Sequence, residues 1–136
     1  MSRDTRDTEE KQAPDVITVL LADDQTSVRK GLRMRLNLEP DIEVVGEAGD
    51  GEEAIAMARQ LCPRVIVMDV EMPGMDGIAA TTTLCGKENF RVVMLSLHDD
   101  RQTRQRAADA GASGFVAKTR MDECLLGAIR EAAARS

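Results

Sequence analysis

The stretch RVIVMDVEMPGMDG, residues 64–77, runs four apolar residues, Val65 to Met68, straight into an aspartate and then into a turn rich in Pro and Gly. An apolar run without alternation is the mark of a strand buried on both faces of a parallel sheet. A carboxylate closing such a strand loses its hydration unless a partner compensates it. Asp69 therefore either caps a turn or carries chemistry, and the segments on either side decide between the two.

Two further runs are built the same way, VITVLL at 16–21 and RVVML at 91–95, while IEVVGEA at 42–48 and SGFVA at 113–117 are weaker members of the series. Helix-like segments lie between them. Val28, Leu32 and Leu36 recur every four residues as one apolar stripe. Asp50 with Glu53 forms a capping pattern ahead of Ala54, Ile55, Ala58 and Leu61, and Thr119 with Asp122 predicts a weaker cap before Leu125, Ile129 and Ala132. Five strands alternating with five helices predict a three-layer α/β domain, because parallel strands need long crossovers that cover both faces of the sheet.

Residues 99–110, DDRQTRQRAADA, contain no large apolar side chain. This helix gains little from packing and is expected to be the least stable of the five, with Asp99 and Asp100 as its caps and Arg101, Arg104 and Arg106 as a face that a partner can meet.

Composition sets the bounds. The chain has 136 residues, 43% of them hydrophobic, enough for one domain with a true core. Two Phe, no Trp and no Tyr leave nothing on which nucleotide bases stack, and a net charge of −6 disfavours a phosphate backbone. Cys62, Cys85 and Cys124 match neither a metal pattern nor a disulfide framework and read as reduced thiols of a cytoplasmic protein. No apolar run approaches the roughly 18 residues of a membrane span. Residues 1–14 read as a disordered leader ending at Pro14, and 15–136 as the folded domain.

At the carboxyl ends of the predicted strands stand Asp23 and Asp24, then Asp69, then Ser96, then Lys118. In an open α/β sheet this is the edge where ligands bind. Crowded carboxylates repel one another unless a cation intervenes, and an oxygen-lined site of this kind suits Mg²⁺. A carboxylate can attack phosphorus to form an aspartyl phosphate, with Mg²⁺ and Lys118 neutralising the transferred oxygens and Ser96 donating a hydrogen bond to one of them.

These residues resemble the receiver domain of two-component response regulators. The acidic pair in LLADDQTSVRKGL, the block VIVMDVEMPGMDG, Ser96 in VVMLSLHDD, and Phe115 with Lys118 in GASGFVAKT fall in that family's order. LNLEPDIEVVGEAGDGEEAI is similar to the NarL/FixJ branch, whose members carry a C-terminal helix-turn-helix output domain of the LuxR type. The resemblance implies a flavodoxin-like (βα)5 fold with strand order 2-1-3-4-5. It implies that Asp69 is the phosphoacceptor for a sensor histidine kinase, with Asp24, Asp69 and the Glu71 backbone carbonyl holding Mg²⁺ and Asp23 acting through water. It also implies Ser96 and Phe115 as switch residues, a possible homodimer, and DNA contact only through an output domain beyond this segment, so that the chain is a piece of a longer regulator. On this reading the domain is a signalling phosphoacceptor that assists its own phosphorylation and dephosphorylation, rather than an enzyme acting on a separate substrate.

Where many receivers have proline after the lysine, this chain has Thr119, which leaves the isomer of the Lys118–Thr119 bond open. A haloacid-dehalogenase-type phosphatase is the alternative, since it also uses a strand-end Asp, a Ser or Thr, a Lys and Mg²⁺. That family places its acidic pair after the lysine, where this chain offers only Asp122 and Glu123 inside a predicted helix. His98 reads as a solvent-facing loop residue, and Met72 and Met75 either shield the phosphate or pack the turn. Gly111 and Gly114 are expected to serve a tight connection into the last strand.

Overall fold

A computed structural model describes residues 15–135, so the expected leader, residues 1–14, lies outside the described residues. The elements alternate along the chain: β1 (Ile17–Ala22), α1 (Thr26–Asn37), β2 (Ile42–Ala48), α2 (Gly51–Leu61), β3 (Val65–Asp69), α3 (Gly77–Glu88), β4 (Val92–Ser96), α4 (Arg101–Asp109), β5 (Gly114–Ala117) and α5 (Met121–Ala134), with one 3₁₀ turn over Lys118–Arg120. The strands form one parallel sheet in the order β2-β1-β3-β4-β5, as the resemblance implied. The chain moves outward from β1 to β2 and then returns to the other side of β1, so the order reverses between β1 and β3. The crevice that such a reversal opens lies at the carboxyl ends of those two strands.

Why the central strands are apolar along most of their length follows from what covers them. Leu20, Ile66, Met68 and Met94 point to one face, where Ala54, Ile55 and Ala58 of α2 and Ile78, Ala80 and Leu84 of α3 pack on them. Val19, Leu21, Val65, Val67, Val93 and Leu95 point to the other, beneath Leu32 and Leu36 of α1 and Leu125 and Ile129 of α5. Successive side chains leave a strand on opposite faces, so a strand with helices on both sides turns neither face to water, and the polar residues of these strands, Thr18, Asp69 and Ser96, stand at or near strand ends.

The edge strand β2 alternates instead, and it carries an irregularity. Val19 pairs with Val44 but Leu20 pairs with Gly46, leaving Val45 as an extra residue. Such a bulge reverses the facing of everything beyond it. Gly46 then meets α2, where an added Cβ would come 2.8 Å from both Leu61 and Met57, and Glu47 turns to the α1 side, within reach of Arg29 and Arg33.

α4 buries only Ala107 along its length, in line with its composition. Its cap is Asp100, which accepts from the Thr103 N–H. Asp99 does not cap as expected; its carboxylate pairs with Arg104 instead. The Asp50 cap on α2 forms, with Asp50 accepting from Glu53 N–H and Glu53 accepting from Gly49 N–H. The Thr119 cap does not. Thr119 lies inside the 3₁₀ turn that leads into α5, the Lys118 carbonyl accepts the Met121 N–H, and no side chain caps the helix. Gly111 holds a left-handed φ of +100° between α4 and β5, as expected, but Gly114 sits within β5 where a Cβ would make ordinary contacts at 3.6 Å or more. All peptide bonds among the described residues, Lys118–Thr119 included, are trans.

Candidate functional site

The strand-end residues do converge. Asp23 and Asp24 follow β1, Asp69 ends β3, and their carboxylates offer oxygens that all lie within 4.8 Å of one another. Lys118, one residue past β5, places Nζ 3.2 Å from Asp69 Oδ2 and 3.4 Å from Asp23 Oδ2. Asp23 and Asp69 are each only 1% exposed, whereas Asp24 faces solvent. Asp23 Oδ1 accepts the Gln25 N–H at 2.9 Å, but its Oδ2 is buried without a hydrogen bond among the described residues, 3.4 Å from the Lys118 ammonium.

Three carboxylates face one ammonium, so the cluster keeps a net negative charge. Burial pushes the Asp69 carboxyl up to about 6, with Asp23 adding to the rise and Lys118 and the Glu71 N–H opposing it. Burial acts the other way on Lys118, but the Asp69 and Asp23 carboxylates outweigh it and hold the ammonium above its ordinary range. An orphaned buried oxygen beside two further carboxylates, one of them wet, is what a hard divalent cation with water in its shell requires. The donor set therefore fits Mg²⁺, with Asp24 and Asp69 able to hold the ion and the buried Asp23 oxygen beside them able to accept from a water of its shell.

The turn after Asp69 is set by close backbone approach. Val70 N–H donates to the Leu95 carbonyl, and Gly77 N–H donates to the Val70 carbonyl. A Cβ on Gly77 would stand 2.0 Å from the Asp69 carbonyl oxygen, so no side chain is possible there. Met72 is buried and Met75 half-buried against the α2 and α3 core, which assigns them to packing the turn. His98 is exposed.

Ser96 is wholly buried at the end of β4. Its Oγ donates to Glu71 Oε2 at 2.8 Å and accepts the His98 N–H at 2.9 Å. Phe115 is half-buried, with the Arg104 guanidinium 4.7 Å from its ring centroid. Asp24, Glu71, Met72, His98, Thr103 and Arg106 are among the residues lining a crevice of about 440 Å³ that opens beside Asp69.

Two parts of this site escaped the sequence. The resemblance gave Glu71 a role through its carbonyl alone, yet its carboxylate is what holds Ser96. Arg29 was given no role, yet its Nη1 donates to the Asp23 carbonyl at 2.6 Å while its Nε bonds Glu47 at 2.8 Å. A short-range pattern signals neither contact. The phosphatase alternative fails here, because Asp122 and Glu123 are exposed in the first turn of α5 and the acidic pair beside Asp69 comes from β1.

Comparison with known proteins agrees. Residues 19–130 match the response regulator receiver domain family. The chain is 44% identical over 120 residues to the uncharacterized transcriptional regulatory protein YxjL of Bacillus subtilis strain 168, covering 88% of this chain and 55% of that protein. It is 38% identical over 118 residues to the nitrate/nitrite response regulator NarL of Escherichia coli K12, covering 86% and 55%. A LuxR-family two-component response regulator from Aurantimonas sp. SI85-9A1 superposes with a TM-score of 0.84 at 33% identity, over 88% of this chain and 86% of that one. The chain thus spans about half the length of the curated relatives it matches.

Proposed function

Because this chain belongs to the response regulator receiver domain family, in its NarL/LuxR branch, we propose that residues 15–136 act as a phosphoryl-accepting switch with Asp69 as the acceptor. One observation carries the reading: the Asp69 carboxylate ends β3 at the sheet's reversal point, 3.2 Å from Lys118 and clustered with Asp23 and Asp24.

In the reaction an Asp69 oxygen attacks the phosphorus of a phosphohistidine on a sensor histidine kinase. A P–O bond forms as the P–N bond breaks, and the imidazole leaves with the electron pair. Asp24, Asp69 and the Glu71 carbonyl would hold Mg²⁺, with Asp23 acting through water. When bound, the ion offsets charge on the transferring oxygens. Lys118, already shared by two carboxylates, turns to a phosphoryl oxygen. Ser96 donates to another, and Phe115 follows into the space that Ser96 leaves, changing the face made by α4, β5 and α5. The domain promotes its own phosphorylation and dephosphorylation and acts on no separate substrate.

The partners on this reading are the kinase, a second copy of the protein, and DNA through a helix-turn-helix output domain elsewhere in the full regulator. The setting is the cytoplasm, and no helix among the described residues is long and apolar enough to cross a membrane. The test is intact-mass spectrometry after incubation with a small phosphodonor and Mg²⁺. One acid-stable, alkali-labile phosphoryl group is expected and is lost in Asp69→Asn; equal labelling of the variant overturns the assignment.

A further inference from the structure

Ser96 has a single hydroxyl proton, and in this structure that proton is directed at Glu71. We propose that the Glu71 carboxylate is a competing acceptor that holds Ser96 away from the phosphoryl site, so that this one side chain sets how readily the domain switches. The inference rests on the function proposed above and adds a regulator to it.

The geometry leaves Ser96 no proton to offer elsewhere. The residue is 0% exposed, so no water stands in for a missing partner. Its oxygen is pinned from the loop side by the His98 N–H at 2.9 Å and aimed at Glu71 Oε2 at 2.8 Å. A hydrogen bond to a carboxylate is about twice as strong as one between neutral groups. For Ser96 to reach a phosphoryl oxygen, the Glu71 bond must break while the His98 bond serves as a pivot.

Glu71 is suited to releasing as well as holding. It stands two residues past Asp69, in the turn fixed by Gly77, and its side chain is exposed at the mouth of the crevice. A carboxylate that leaves Ser96 there returns to water and needs no new protein partner. An arriving phosphoryl group carries roughly two negative charges and three acceptor oxygens. It therefore repels Glu71 and competes for the Ser96 proton at the same time. The contact is a latch whose strength subtracts from the affinity of the switched state, in the way any stabilised resting state lowers apparent affinity.

A charge effect and a latch differ in one respect: only the latch needs the Ser96 hydroxyl. The test titrates beryllofluoride, with Mg²⁺, into the full chain and into Glu71→Gln, Ser96→Ala and the double variant, following backbone amides by NMR. Glu71→Gln keeps the shape and weakens the acceptor, and is expected to tighten beryllofluoride about tenfold, the factor that about 1.4 kcal/mol represents. In the Ser96→Ala background the same change should alter affinity by less than about threefold, because the coupling is lost. In the unliganded Glu71→Gln chain the His98 amide resonance should already shift, since its acceptor has lost its anchor. Equal effects of Glu71→Gln in both backgrounds, or no tightening at all, overturn the latch. Failure of the parent chain to bind beryllofluoride, or equal binding by Asp69→Ala, removes the phosphoacceptor reading itself.

Discussion

The guanidinium of Arg104 lies over the ring of Phe115, 4.7 Å from its centroid, and this contact joins α4 to β5. Because α4 buries only Ala107, a side chain that grips the strand from above matters more here than it would on a helix with an apolar stripe. A half-exposed cation–π pair contributes about 0.5 to 1 kcal/mol. Arg104→Ala is therefore expected to raise amide exchange across residues 101–109 by roughly two- to fivefold, the factor that such an energy represents. Unchanged exchange in that helix would show that the ring and the guanidinium merely lie near each other.

Asp69 gives a pH prediction. Burial raises its carboxyl from 3.8 to about 6, so the folded chain binds this proton more tightly than the unfolded chain does. Protonation thus favours the fold, and the group lowers stability progressively as pH rises from about 4 through 6. In the absence of Mg²⁺, Asp69→Asn should stabilise the chain at pH 7.5 by about 1 to 3 kcal/mol, with the gain shrinking toward zero near pH 4. Urea unfolding of both proteins at the two pH values measures it, and a gain of the same size at pH 4 would contradict the cause given.

Metal binding separates Asp24 from its neighbours. Its side chain is exposed, so Asp24→Ala should leave thermal stability within about 0.5 kcal/mol of the parent. Mg²⁺ affinity, followed by amide shifts in a titration without phosphodonor, should fall at least about tenfold, because the ion relies on very few carboxylates. An unaltered titration would place the ion elsewhere.

Arg29 braces the acidic pair from behind. Arg29→Met removes the hydrogen bond to the Asp23 carbonyl and leaves Glu47 with Arg33 alone. Because both Arg29 and Glu47 are largely buried, the expected loss is about 2 kcal/mol in chemical denaturation. Arg29→Lys should recover only part of it, since a lysine cannot bond the carbonyl and the carboxylate with two fixed N–H groups.

The strands that place Asp23, Asp69, Ser96 and Lys118 were legible because buried parallel strands must be apolar and must end on one edge. Glu47 was not. Counting every second residue from Ile42 puts it on the α2 face, and only the extra residue at Val45 brings it round to Arg29. The failed cap at Thr119 has a similar origin: the exit of β5 forces a 3₁₀ turn that a four-residue signature does not register. Glu71 on Ser96 and Arg104 on Phe115 join side chains from separate loops and elements, and such pairings follow from the assembled crevice rather than from any local pattern.

The sheet order also fixes when in its synthesis the protein becomes competent. Asp23 and Asp69 leave the ribosome long before Lys118, which follows the last strand to be made. Until β5 docks beside β4, the two buried carboxylates face each other without their ammonium, and α5 lacks one of the strands it packs on. A partly translated chain therefore carries the acidic residues without the ammonium that pairs with them. On the function proposed for this domain, phosphoryl acceptance waits for the last strand and the Lys118 that follows it.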